Sequence, residues 1–339
     1  MTQPNIVFII ADQHRWDMAG WGANGVTDTP HLNALARRGV LFRSAYCTAP
    51  LCCPSRAALA SGRYGMNTGC FTNLHELPPG TPGFVGQLRG AGYRTSAVGK
   101  THMEIHAYTS DLTSPRHKEY MDSLGWDEVE EISGNSMLRA GIRCAYSEFL
   151  LEAGRLDDVI AHYEQWSYFL ETGRPADPNF KPHPWTLPEE YEATHWIADR
   201  AINWLEGYAG ERPFFLHVGF THPHSPIQPL PRLMARYADR EETAPWNWAD
   251  PPEWLADGRR GYRAMITLVD EQVGRILAAL EAQGYLENAV VVFTSDHGDC
   301  LGDHGHIQKW TMYDIITRVP LIVWAPGRFT PGARVEGLF

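Results

Sequence analysis

No stretch of this 339-residue chain approaches the roughly 20 consecutive apolar residues that cross a bilayer, so no membrane partner is expected. Basic residues are in deficit: 29 Lys and Arg stand against 40 Asp and Glu, a formal charge of −11. That balance excludes a non-specific nucleic-acid binder, because phosphate contacts need a basic field. An anionic substrate then requires a local basic pocket. The opening MTQPNIVFIIADQHRWD has no basic leader, and its apolar run Ile6–Ala11 is too short for a secretory signal, so the expected compartment is the cytoplasm. Six cysteines, at 47, 52, 53, 70, 144 and 300, lack paired C-x-x-C spacing. Structural zinc and a disulfide scaffold are therefore not expected, and most of these thiols should be reduced and buried. Internal repeats and low-complexity segments are missing too. What remains is the composition of a folded protein, 44% hydrophobic and 20% charged.

At roughly 150 residues per domain, this length allows about two domains or one large α/β domain. Short apolar runs over Asn5–Ala11, Val40–Tyr46, Arg94–Val98, Pro213–Gly219, Ala289–Thr294 and Pro320–Ala325 read as strands. Helical patterns cover Pro30–Arg38, Ser55–Ser61, Phe84–Leu88, Tyr191–Trp204 and Arg263–Ala282. The alternation predicts βαβ units and a large, mostly parallel sheet. Between about 105 and 190 the pattern is less regular, with Pro175 and Pro178 as breakers. This segment is expected to be an insertion over one edge of the sheet.

Polar clusters follow the C-terminal ends of four predicted strands: Asp12-Gln13, Lys100-Thr101-His102, His222 with His224, and Asp296-His297. Ligand sites of open α/β sheets gather at those ends. Two carboxylates, an amide oxygen and an imidazole suit one divalent cation, with oxygen ligands favouring Ca²⁺, Mg²⁺ or Mn²⁺. Each pair alone also fits a loop or helix cap. Leu51-Cys52-Cys53-Pro54-Ser55-Arg56 opens a helix, whose free N–H groups and positive dipole end favour a nucleophile or an oxyanion. Taken alone, Cys52 is either an activated thiolate or a buried cysteine.

The run Cys52-Cys53-Pro54-Ser55-Arg56, continued by Ala57-Ala58-Leu59-Ala60-Ser61-Gly62-Arg63, resembles the C-x-P-S-R-x-x-x-L/M-T-G-R signature of type I sulfatases. Only Cys52 has Pro at +2 and Arg at +4. The likeness continues in family order. Pro4-Asn5-Ile6-Val7 to Asp12 resembles the opening strand and first metal ligand, and Thr29-Pro30-His31-Leu32 through Phe42 resembles the next segment. Gly99-Lys100-Thr101-His102 is similar to G-K-x-H, Pro223-His224-Ser225-Pro226 to P-H-x-P, and Ser295-Asp296-His297-Gly298 to S-D-H/N-G. Lys309 stands where the family has a lysine that contacts the sulfate and leaving group.

The resemblance implies an alkaline phosphatase-like α/β fold with helices on both faces of the sheet, and an arylsulfatase-like sulfuric ester hydrolase. It implies that Cys52 is oxidised by a maturation enzyme to Cα-formylglycine, whose hydrate attacks the sulfur of a small-molecule sulfate ester. Asp12, Gln13, Asp296, His297 and the residue made from Cys52 would hold one divalent ion, calcium first, with manganese or magnesium as alternatives. Arg56, Lys100, His102, His224 and Lys309 would act on the sulfate. Either His224 or Lys309 would stand near the leaving group, and His102 would help the intermediate collapse.

Two departures stand out. The family's usual D-D pair is here Asp12-Gln13, and a D-Q pair with a D-H pair also resembles phosphonate monoester and phosphodiester hydrolases. Ser55 is the sulfatase form of its position. Family members usually continue for a further hundred or more residues after a segment like Val335–Phe339, so residues 1–339 are read as an N-terminal catalytic domain without the smaller C-terminal subdomain. The alternatives to a sulfatase are a phosphonate or phosphodiester hydrolase on the same scaffold, and an inactive fragment with unmodified Cys52. A homo-oligomer is left open. His304 and His306 read equally as pocket-lining groups or a solvated loop, Asp299 and Asp303 as loop polar groups, Met103 as packing, and most tryptophans as core.

Overall fold

The computed structural model describes residues 3–22, 27–105, 110–164 and 180–339. Among the described residues, eight strands form one sheet: β1 (Asn5–Asp12), β2 (Val40–Tyr46), β3 (Arg94–Gly99), β4 (Glu128–Glu131), β5 (Phe214–Pro223), β6 (Ala289–Ser295), β7 (Arg318–Trp324) and β8 (Ala333–Leu338). Their order is β4-β3-β5-β1-β6-β7-β2-β8. Every pairing is parallel except the two made by β7, which runs antiparallel to β6 and β2.

The apolar runs are continuous because both faces of the sheet are covered. Val7, Ile9 and Ala11 of β1 join one core with Val218 of β5, Val291 of β6, and helices Ala193–Gly207 and Trp254–Ala282. Ile6 and Phe8 face the other way, into a second core with Phe215, Ala97, Cys53 and Ala57. Helices α1 (Pro30–Arg38) and α2 (Cys52–Ser61) lie early in the chain. Pro30 starts α1 where its missing N–H costs nothing, and Gly62 closes α2 in the left-handed region, at φ 66°. No helix among the described residues is long and apolar enough to cross a membrane.

Three differences from the expected elements have physical reasons. Helix α2 begins at Cys52 rather than Ser55, since Pro54 is tolerated in a first turn. The long helix begins at Trp254 rather than Arg263. Gly258 breaks the helical pattern in the sequence, but a Cβ there would stand 2.5 Å from the Phe180 carbonyl oxygen, so close packing requires the glycine. The third concerns segment 105–190, expected to be irregular. Its described part carries helices Pro115–Ser123, Ala145–Glu152 and Leu156–Glu164, and β4 extends the sheet as an edge strand. Strand β4 reads Glu-Val-Glu-Glu, with no apolar run to signal it. Its Glu128 and Glu130 instead pair outward with Arg94, Arg200 and the Trp204 indole. Pro175 and Pro178 lie outside the described residues.

Candidate active site

Strands β3, β5, β1 and β6 are adjacent and parallel, so their C-terminal ends share one edge of the sheet. That edge carries Asp12, Lys100, His224 and Asp296, the residues at or just past the four strand ends. The approach of β3 to β5 is tight. A Cβ on Gly219 would lie 2.1 Å from the Lys100 carbonyl oxygen. Helix α2 points its N-terminus at the same place and brings Cys52 and Arg56.

Cys52 is 1% exposed, at the centre of the cluster. Lys309 Nζ donates to its Sγ at 2.8 Å, and His297 Nε2 lies 3.2 Å away. Asp12 Oδ1 is 3.6 Å from the sulfur, and His102 also hydrogen-bonds to it. Lys309 Nζ further donates to Gln13 Oε1 and to His224 Nε2, each at 2.8 Å. His224 Nδ1–H donates to the Ser225 carbonyl, which leaves Nε2 as the acceptor. Lys100 Nζ pairs with Asp12 Oδ2. Arg56 Nε donates to Asp296 Oδ2 at 2.8 Å and its Nη1 to the Lys100 carbonyl at 2.7 Å. A cavity of about 230 Å³ opens here, lined by Asp12, Cys52, Lys100, His102, Leu74 and His224 among others.

Burial pushes the Cys52 thiol up, but Lys309, Lys100 and His297 hold it well below its ordinary value, as a thiolate. Burial likewise raises the Asp12 carboxyl, together with the Cys52 sulfur. Lys100 and Lys309 outweigh both and keep it ionised. Lys100 is raised by Asp12 against the pull of burial, and burial with Lys100 lowers His102.

Asp12, Cys52, Asp296 and His297 each offer a ligand atom within 4.8 Å of the others, all buried. His297 Nδ1–H donates to the Gly298 carbonyl at 2.9 Å, which fixes the ring with Nε2 facing the cluster. Arg56 Nη2, buried and 3.8 Å from Asp12 Oδ2, has no hydrogen-bond partner among the described residues. Gln13 turns Oε1 inward, because its Nε2 donates to Asp299. Two carboxylates, an amide oxygen and one imidazole fit a hard divalent cation. Gln13, His102, Gln308 and Trp310 all adopt positive φ, between 51° and 77°. For non-glycine residues such strain clusters where a site needs it.

The structure thus brings together every candidate named from the sequence: Asp12, Gln13, Cys52, Arg56, Lys100, His102, His224, Asp296, His297 and Lys309. Other residues read differently. Asp299 is a loop polar group, as expected, but a buried one: it is 1% exposed and accepts from Gln13 Nε2 and from the backbone N–H groups of Leu301 and Gln308. Asp303 is buried between Arg15 and Arg259. His304 stacks on Tyr313 with ring centroids 3.7 Å apart, and His306 is exposed; neither lines the cavity. Met103 packs in the second core, as expected. All six cysteines are free. Tyr262 and Ser55 also serve the site. The Tyr262 hydroxyl donates to the Gln13 carbonyl, and Ser55 Oγ to the Asp296 carbonyl at 2.6 Å. Ser55 was legible as part of the C-x-P-S-R run, and Asp299 carried a weaker signal, a carboxylate two residues past His297.

The Sulfatase family model matches residues 4–338, and the chain belongs to that family of sulfuric ester hydrolases. The sheet with helices on both faces is the alkaline phosphatase-like fold the motifs implied. An arylsulfatase of Clostridium perfringens is 27% identical over 98% of this chain and 70% of its own length. An ulvan-active sulfatase of Formosa agariphila is 30% identical over 96% of this chain and 57% of its own. Among solved structures, a phosphonate monoester hydrolase from Silicibacter pomeroyi superposes with a TM-score of 0.75 at 27% identity, covering 99% of this chain and 70% of that one.

Proposed function

We propose that the protein hydrolyses a sulfate monoester to an alcohol and inorganic sulfate, with residues 1–339 as the catalytic domain and Cys52, matured to formylglycine by a host enzyme, as nucleophile. The carrying observation is the cationic surround of one buried sulfur: Lys309 at 2.8 Å, with Lys100 and Arg56 held beside it, and the His102 imidazole in hydrogen-bond contact. The single negative charge of a sulfate ester, shared over its sulfuryl oxygens, matches that surround, and charge developing on the leaving oxygen is stabilised by donors already in place. The hydrated aldehyde supplies a hydroxyl nucleophile, and a divalent ion held by Asp12, Gln13, Asp296, His297 and residue 52 supplies Lewis-acid charge.

The remaining roles follow from the chain's own hydrogen bonds. Lys309 donates to both Cys52 and His224, so it bridges the nucleophile and the leaving-group side. His224, accepting from Lys309 at Nε2, takes its proton from that ammonium and passes it to the departing alkoxide. His102, bonded to residue 52, removes the proton that lets the sulfated intermediate collapse.

The test is mass spectrometry of the Cys52 peptide after co-expression with a maturation enzyme, where formylglycine appears as a loss of about 18 Da. Assay follows on an aryl sulfate beside an aryl phosphonate ester. Cys52→Ala is expected to lose more than about a thousandfold in rate, because it removes the nucleophile itself. An undiminished rate in the purified variant sinks the mechanism. Gln13 favours a second reading: a neutral amide in place of a carboxylate makes the metal site less negative, and the Silicibacter pomeroyi neighbour is a phosphonate monoester hydrolase. Faster turnover of the phosphonate ester would select that reading.

A further inference from the structure

Gln13 is the neutral member of the candidate ligand set, and neutrality brings an ambiguity. A primary amide has nearly the same shape with its oxygen and nitrogen exchanged, but one end accepts and the other donates. Only the oxygen can face a cation. Something must select that orientation.

Asp299 makes the selection. Its Oδ2 accepts from Gln13 Nε2. Its Oδ1 accepts from the backbone N–H groups of Leu301, at 2.7 Å, and Gln308, at 2.8 Å. The carboxylate is 1% exposed, so no water replaces these partners cheaply. An ionised carboxylate only accepts, and a rotated Gln13 would set oxygen against oxygen. Lys309 Nζ, 2.8 Å from Gln13 Oε1, agrees with the same orientation from the other side. Gln308, which Asp299 holds, immediately precedes Lys309 and has φ 67°. One buried carboxylate therefore aims the amide and anchors the strained turn that delivers the lysine.

We propose that Asp299 is a positioning residue that turns the Gln13 amide oxygen toward the metal site and so sets its affinity for a divalent cation. The proposal rests on the metal site described under the proposed function. Partners behind a metal ligand typically contribute 10–100-fold to metal affinity.

The experiment is calorimetric titration of EDTA-stripped protein with calcium chloride. Asp299→Asn is expected to weaken calcium binding about 10–100-fold. The isosteric exchange Gln13→Glu/Asp299→Asn keeps the total charge and the hydrogen bond, with donor and acceptor reversed. It is expected to recover affinity to within a few-fold of wild type and to exceed what Gln13→Glu alone, which sets two carboxylates face to face, and Asp299→Asn alone predict when combined, the three variants closing the cycle. Circular dichroism checks that each variant is folded. If Asp299→Asn does not fold, recovery of a folded, calcium-binding protein in the double variant supports the proposal. Equal affinity in wild type and folded Asp299→Asn overturns it, and so does a double variant no better than the single one. Wild-type protein that binds no calcium removes the metal site and this proposal together, a different result from either of those.

Discussion

Arg56 shows how much a single side chain can hold at this site. It is 2% exposed, and its guanidinium reaches Asp296, the Lys100 carbonyl and the neighbourhood of Asp12. A planar fork can meet three directions at once, which an ammonium cannot. Removing one partner of a buried pair leaves an uncompensated charge, at a cost of about 3–5 kcal/mol. Arg56→Ala is therefore expected to lose stability on that scale in urea unfolding, and Arg56→Lys to recover only part of it. A loss below about 1 kcal/mol would show that Asp296 finds other partners and that the fork is dispensable.

At the scale of elements, the loop after β3 is held by a buried chain of charges. Glu131, the last residue of β4, accepts from the Thr101 hydroxyl and from its N–H at 3.2 Å. Its other oxygen meets His117 Nε2 at 2.6 Å, and His117 Nδ1 meets Glu104. The Tyr120 hydroxyl contacts the Met103 carbonyl at 2.7 Å. Lys100 and His102 are thus presented by a clamp built from β4 and helix Pro115–Ser123. Burial lowers the His117 imidazole, but Glu104 and Glu131 more than reverse this and push it up to about 10. Since the folded value lies above the unfolded value of about 6.5, the stabilisation is complete below about pH 6.5 and is lost as pH rises through about 10. His117→Gln should therefore lower Tm clearly at neutral pH, with the gap from wild type closing above about pH 10. A gap that stays constant across that range would mean His117 acts only by packing.

Across the whole molecule, the candidate metal ligands come from the ends of β1 and β6 and from the start of α2, elements separated widely in sequence. A cation bound there would tie the centre of the sheet to the helix that carries Cys52. Ligand binding to the folded state alone adds about 2.7 kcal/mol at a hundred times Kd. Calcium chloride should raise Tm in a concentration-dependent way, EDTA should lower it, and Asp296→Ala should make Tm insensitive to both. A metal response retained in that variant, read by differential scanning calorimetry with elemental analysis, would remove Asp296 from the ligand set.

Much of this was legible in one dimension. The run Asn5–Ala11 announced a strand covered on both faces, and it became β1. Four polar clusters after four apolar runs announced a site at the strand ends, and the motif of Cys52 with Pro54 and Arg56 announced the helix start that meets them there. These features are local: strand propensity, helix starts and short motifs are written in neighbouring residues. The edge strands β4 and β8 were not legible, because an exposed edge does not need the apolar alternation that betrays a buried strand. Nor were the partners behind the site. Gln13 and Asp299 lie 286 positions apart, so their pairing is decided only when β1 and β6 align in register. The sequence by itself determined which chemical groups the protein possesses and which strands deliver them. Only the tertiary structure decided that Asp299 orients an amide, that Glu131 clamps a loop, and that Lys309 stands between sulfur and imidazole, because a hydrogen bond depends on distance and direction in space rather than on order along the chain.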